Sequence, residues 1–329
     1  MCAVLKVVLI YRKPIDGAYS IEEIFHAIAG ALGARVEVIE YVVGKRRDIL
    51  KDAWGLWKLN ADIYHVTGDV HYFVPLLPSG KTVLTVHDIN HYLCDLRGCK
   101  RWIYKWLWLL WPIRSAYAVT TISQETKDNI IGHLGFTTRH IEIIENCYNP
   151  LLKNVLREFN LECPVILHLG TQAHKNVPRL IEALRGVKCK LVLIGQLNDE
   201  LVRKLSECGI DYVSRKNLTY EEIVREYVNC DLVSFVSLAE GFGVPIIEAQ
   251  ASGRPLVTSN LSPMREVAGD GACLVEPMNV LQIRNAILRI IANSDYRERL
   301  VDRGLINAGR YSPDIISGRY LDLYRSIDC

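Results

Sequence analysis

What the sequence omits narrows the field first. No run of about 18 uncharged apolar residues occurs, so no membrane-crossing helix is expected. No Cys-x-x-Cys or Cys/His ligand spacing occurs either. Ten cysteines, at positions 2, 94, 99, 147, 163, 189, 208, 230, 273 and 329, stand singly, and only 94 and 99 lie close together. That usage suits reduced thiols better than a zinc site or a disulfide framework. With no basic-hydrophobic leader ahead of the first strand, a cytoplasmic protein is expected. The first strand-to-helix turn lacks G-x-G-x-x-G, which argues against a dinucleotide cofactor there. No Asp-x-Asp triplet occurs, so no metal is expected to hold a diphosphate. The formal charge is only +2, with both signs interspersed, and this leaves no electrostatic footprint for nucleic acid.

A chain of 329 residues, half of them hydrophobic, exceeds what one core usually holds, so two domains are expected. Residues 4–11 form an apolar run broken only by Lys6, the pattern of a parallel strand buried on both faces. A loop with a single Gly17 follows. Then comes a helix with Ser20 as N-cap, Glu23 as its capping-box partner, and an apolar face through Ile24, Ile28 and Leu32. Strand-like runs recur at 36–43, 63–66, 82–87, 118–122 and 141–144, with helical patterns between most of them. Asn, Pro and polar residues over 146–164 mark a hinge. A second α/β series begins at 165–170, with further strands at 191–195, 211–213 and 232–237.

The most informative stretch is 239–277. Glu240 and Glu248 stand eight positions apart and enclose Gly241, Phe242, Gly243, Val244 and Pro245. A helix starting near Pro245 would turn the amides of Gly243 and Val244 outward, and such an end attracts phosphate. Glu240 would then accept from hydroxyls beside that phosphate, and Glu248 would meet the same ligand from another side. A phosphate between two polyols is a nucleotide sugar.

This segment resembles the donor-binding signature of the retaining GT-B glycosyltransferases of family 4, in which Glu-x7-Glu carries an embedded Gly-Phe-Gly turn. Ser252 to Val257, Glu266 to Gly269 and Leu274 to Pro277 resemble the continuation of that signature. The resemblance implies an α/β GT-B architecture, with two Rossmann-like doubly wound domains facing each other across a cleft. Residues 1–150 would bind acceptor and 151–313 the nucleotide sugar, with 314–329 a helix crossing back to the first domain. The implied co-substrate is a UDP- or GDP-linked sugar, with no other cofactor, and the implied acceptor is a glycan or lipid-linked glycan. The implied reaction is front-face displacement with retention.

Residue by residue, the resemblance implies that His87, at a strand end beside Asp88, contacts the sugar. His65, His71 and His91 are weaker candidates of the same kind. Gly170, Thr171 and Lys175 would receive the diphosphate after the first strand of the second domain, with Lys175 facing the leaving group. Many members carry arginine where this chain has Thr171, so one positive charge is missing, and His174, Arg215 or Lys216 could supply it. Val213 and Asn217 would lie beside the base.

Residues 100–114, KRWIYKWLWLLWPIR, hold four of the six tryptophans. At about 100° per residue, Trp102, Trp106, Leu109 and Leu110 share one face, widened by Tyr104, Trp108 and Trp111, with Arg101 and Lys105 as a polar strip. Positions 96–114 carry five basic residues and no acidic one. Two readings stay open, a helix packed under the sheet or one docked on an anionic membrane surface. For the whole chain the rivals are a nucleotide-sugar epimerase or hydrolase on the same scaffold, and a non-catalytic nucleotide-sugar-binding membrane partner.

Overall fold

The computed structural model describes residues 4–13, 20–44, 46–135 and 141–328, so Gly17 and the side chain of Ser20 lie outside the described residues. The chain forms two compact units, one of residues 1–147 with 313–329, the other of 148–312.

In the first unit six strands make one wholly parallel sheet: β1 (Lys6–Tyr11), β2 (Glu37–Val42), β3 (Ile63–Val66), β4 (Thr82–Val86), β5 (Ala118–Thr121) and β6 (Ile141–Ile143). Their spatial order is β2-β1-β3-β4-β5-β6. Burial follows the expected pattern: β1, β3 and β4 are almost wholly buried, as apolar runs covered on both faces should be. Helices α1 (Ser20–Leu32), α2 (Ile49–Lys58), α3 (Gly98–Tyr104), α4 (Trp111–Ser115) and α5 (Gln124–Leu134) connect them. Ser123 caps α5, its hydroxyl accepting from the Thr126 amide at 3.1 Å, and Gly135 ends it in the left-handed region.

The second sheet is also wholly parallel. It comprises β7 (Val165–Leu169), β8 (Lys190–Ile194), β9 (Asp211–Arg215), β10 (Leu232–Phe235), β11 (Leu256–Ser259) and β12 (Cys273–Val275), in the order β12-β11-β10-β7-β8-β9. The order reverses between β7 and β10, and in open parallel sheets ligands sit outside the carboxyl ends of the strands at such a switch point. The helices are α6 (Val177–Leu184), α7 (Asp199–Glu207), α8 (Tyr220–Asn229), α9 (Val244–Ala251), α10 (Met264–Ala268), α11 (Val280–Ala292) and α12 (Ser294–Gly309). The core on one face joins Ile166, Leu191, Leu193 and Leu232 to the apolar sides of α6, α7 and α11. Burying each such side chain contributes about 1.5–3 kcal/mol. Of residues 146–164, expected as a hinge, 148–164 belong to this unit. Buried Asp231 accepts from the Val165 and Asn160 amides at 2.8 and 3.1 Å and from Arg157 at 3.3 Å, while Arg254 donates to the Val155 carbonyl at 2.6 Å.

The last helix, α13 (Pro313–Asp328), returns to the first unit. Its Tyr324 hydroxyl lies 2.6 Å from His65 Nδ1, and His65 Nε2 lies 2.7 Å from Thr85 Oγ1. Thr85 also meets the hydroxyls of Thr120 and Tyr320. This buried network seals the tyrosine face of α13 to the sheet.

The tryptophan-rich segment departs from the expected helix. Residues 105–110 form a π-helical turn between α3 and α4, which shifts every later side chain relative to a uniform α-helix. Leu109, Leu110 and Ile113 are buried in the core, whereas Trp102, Trp106 and Trp111 are 64%, 42% and 54% exposed. The tryptophans therefore do not share a face with Leu109 and Leu110. Trp108 differs from those three: it is half-buried against the same core, stacked on Tyr104 and against Tyr72. Lys105 donates to the His133 carbonyl at 2.9 Å. Among the described residues no helix is long and apolar enough to cross a membrane.

Candidate functional site

The loops after β7 and β10 flank the switch point of the second sheet, and they carry the residues singled out from the sequence. Gly170 follows β7 with φ of +91°, and a Cβ there would lie 2.8 Å from two side-chain carbons of Lys175. A glycine is needed both for that backbone conformation and for the lysine stem that crosses it. Asn176, left-handed at φ 63° and buried, locks the turn from the other side by donating to the carbonyls of Val236 and Pro277 at 2.9 and 2.7 Å. Lys175 is thus held between fixed neighbours. Its Nζ reaches Glu240 Oε1 at 2.7 Å and sits 4.8 Å from the centre of the Phe235 ring. Residues 65 positions apart, one on each side of the switch point, meet directly.

From Glu240 the chain turns through Gly241 and Phe242 to Gly243, which caps α9 at φ +100° with Pro245 in the first turn. A helix leaves its first amides without an intrahelical acceptor, so the Val244 end of α9 is a ready anion site beside Lys175. Phe242 lends the site its backbone only, because its ring is buried edge-on against Tyr311.

Glu248 lies on α9, in the first turns of that helix as expected. It is only 6% exposed, and its two oxygens accept from the hydroxyls of Tyr220 at 2.6 Å and Tyr227 at 2.8 Å. Burial, then the charge of Glu248, push the Tyr227 hydroxyl well above its ordinary pKa, which keeps it a donor. Both tyrosines lie on α8, which opens with a capping box between Thr219 and Glu222. Sequence reasoning missed them, and their only signal is a seven-residue spacing that puts both on one side of a helix.

Thr171 donates to the Gln196 carbonyl at 2.7 Å, and Lys216 donates to Gln196 Oε1 at 3.3 Å. Arg215 pairs with Glu226 at 2.8 Å. Val213 lies within β9, and Asn217, just past it, is left-handed at φ 55°. His168, fully buried on β7, is pushed down to about 4 by burial and by the Lys175 charge.

In the first unit, His87 directly follows β4. Its Nε2 lies 2.7 Å from the Thr67 carbonyl, which can only accept, so Nε2 carries the proton and Nδ1 is left as an acceptor. Burial pushes its pKa down and favours this neutral form. Asp88 accepts from the Asn90 amide at 2.8 Å. The three weaker histidines are engaged elsewhere: His65 in the α13 network, His71 with the Trp108 carbonyl at 2.9 Å, and His91 with Asp95 at 2.9 Å. Among the described residues no group of three or more His, Cys, Asp or Glu could hold a metal ion.

Two parallel doubly wound units, with cation, carboxylate and helix end gathered at a switch point, define the class: this chain is a glycosyltransferase of the GT-B fold. Residues 157–305 match the family model described as glycosyl transferases group 1, and residues 22–150 match glycosyltransferase family 4. O-antigen chain mannosyltransferase B of Escherichia coli is 26% identical over 302 residues, covering 84% of this chain and 77% of that one. O-antigen chain mannosyltransferase RfbU of Salmonella typhimurium is 24% identical, covering 67% and 63%. In fold, HepE of Anabaena, solved with UDP and glucose, superposes with a TM-score of 0.77 at 17% identity, covering 98% of this chain and all of that one. WaaG, a glycosyltransferase involved in lipopolysaccharide biosynthesis, superposes at 0.71 with 15% identity, covering 97% and 99%.

Proposed function

We propose that the chain is a retaining glycosyltransferase that moves a hexose from a nucleotide-diphosphate sugar to a glycan or lipid-linked glycan by front-face displacement, without a metal. In this reading the bond from the anomeric carbon to the phosphate oxygen breaks while the acceptor oxygen bonds to the same face of that carbon. The acceptor proton passes to the departing diphosphate. Lys175 and the Val244 end of α9 receive the growing negative charge, Glu240 accepts from sugar hydroxyls, and Glu248, aimed by Tyr220 and Tyr227, accepts from the ribose. His87 offers Nδ1 to a sugar hydroxyl. Such a site works by positioning and fixed dipoles.

The observation that carries the reading is the contact of Lys175 with Glu240 at the switch point, beside the start of α9. Mannose is the hexose to test first, because the relatives named above are mannosyltransferases, and glucose is second, because HepE was solved with UDP-glucose. The exposed tryptophans among basic residues support peripheral contact with an anionic membrane, the setting of a lipid-linked acceptor.

The test is thermal unfolding against a panel of UDP-, GDP- and ADP-sugars, followed by transfer assays with the stabilising donor. At least one donor raises the melting temperature and is consumed faster when acceptor is added. A protein stabilised by none of them, or one that converts its donor equally fast without acceptor, is not this transferase.

A further inference from the structure

We propose that Lys216 is the second cation of the diphosphate site, reaching in from the end of β9. This deepens the donor-binding reading above and rests on it. The doubly charged pyrophosphate of a sugar nucleotide needs more than one lysine whose charge is already matched by Glu240 at 2.7 Å. Thr171, directly after Gly170, brings no charge.

The ends of β7, β8 and β9 lie flush. Leu169 pairs with Ile194 and Ile194 with Arg215, and the amides of Gly170 and Gly195 donate to the carbonyls of Ile194 and Arg215, each at 2.8 Å. Gly170, Gly195 and Lys216 therefore form one row along the edge where a ligand sits. The turns of that row are tied to each other. Thr171 Oγ1 donates to the Gln196 carbonyl at 2.7 Å, and at Gly195, with φ of +146°, a Cβ would come 2.6 Å from Thr171 Oγ1. From the other side Lys216 Nζ donates to Gln196 Oε1 at 3.3 Å.

The decisive point is charge. Arg215 is neutralised by Glu226 and Lys175 by Glu240, but Lys216 has no carboxylate partner among the described residues and is held only by a neutral amide. An amide oxygen positions an ammonium without cancelling it. Lys216 thus keeps its full charge for an incoming anion, at the end of β9, two strands across from the β7 turn where Thr171 stands.

The test is calorimetric titration with UDP, GDP and ADP, and with the matching monophosphates, on the full chain. The wild type binds at least one diphosphate. Lys216→Ala weakens that diphosphate about tenfold or more and the matching monophosphate less, and the difference shrinks as salt rises. Lys216→Arg restores the affinity, and Arg215→Ala stays within about twofold of wild type. Lys216 is exposed, so the melting temperature of Lys216→Ala without nucleotide should match wild type and exclude misfolding. A wild type that binds none of the three diphosphates overturns the donor reading and Lys216 with it. A wild type that binds, with Lys216→Ala equal to it or Arg215→Ala the weaker of the two, overturns Lys216 alone.

Discussion

Lys175 combines a fixed stem, a carboxylate partner and an aromatic face, so its charge is delivered at a defined point. Replacing it with alanine should lower turnover by about two to three powers of ten, the usual cost of losing one donor to a developing oxyanion, with donor-free stability little changed. Near-normal transfer by Lys175→Ala would place the charge elsewhere. His65 makes a prediction about pH. Buried between two hydroxyls, it is pushed down to about 3 by burial and then by the nearby His87, whereas in the unfolded chain it titrates near 6.5. The native state therefore binds fewer protons in that interval. The stability this neutral ring contributes is complete above pH 6.5 and is lost as pH falls toward 3, at about 1.4 kcal/mol per pH unit. Denaturant unfolding at pH 7.5 and 5.0 should show wild type losing about 2 kcal/mol more than His65→Gln. Equal losses would mean that the native ring takes up a proton.

Among the elements, the turn after β7 gives the clearest test. Gly170→Ala puts a methyl group 2.8 Å from the Lys175 stem on a backbone at φ +91°, so the lysine or the turn must move. Donor affinity and turnover should both fall at least tenfold, more than for Gly186→Ala, whose added carbon meets nothing within 4 Å although its φ of +70° carries similar strain. Equal effects would mean that strain alone explains the loss. The strands were readable from sequence because β1, β4 and β7 are apolar runs whose burial needs no partner-specific detail, and the helix after Gly243 was readable from its glycine turn and Pro245. Three features were not readable. The π-helical turn at 105–110 changes the phase of a helix, and Pro112 just beyond it, which withholds an amide from the Trp108 carbonyl, does not by itself say where the wide turn falls. The partners of Glu248 lie on a helix whose packing depends on tertiary contacts, and the meeting of Lys175 with Glu240 depends on strand order, which periodicity does not encode.

At the level of the molecule, the first unit is built from both ends of the chain, with α13 closing the sheet that begins with β1. On the same unit, Trp102, Trp106 and Trp111 stand exposed among Arg97, Lys100, Arg101 and Arg114. Changing these three tryptophans to serine should reduce flotation with phosphatidylserine vesicles severalfold while the fold persists, because Trp108, which packs on Tyr104 and Tyr72, is left in place. Undiminished flotation would remove this surface from any membrane role. The central claim, that the carboxyl edge of the second sheet holds the donor's diphosphate, is tested most directly by a crystal structure with the nucleoside diphosphate that binds. The account predicts phosphate oxygens within hydrogen-bond reach of the Val244 amide and Lys175 Nζ. A diphosphate bound away from both would contradict it.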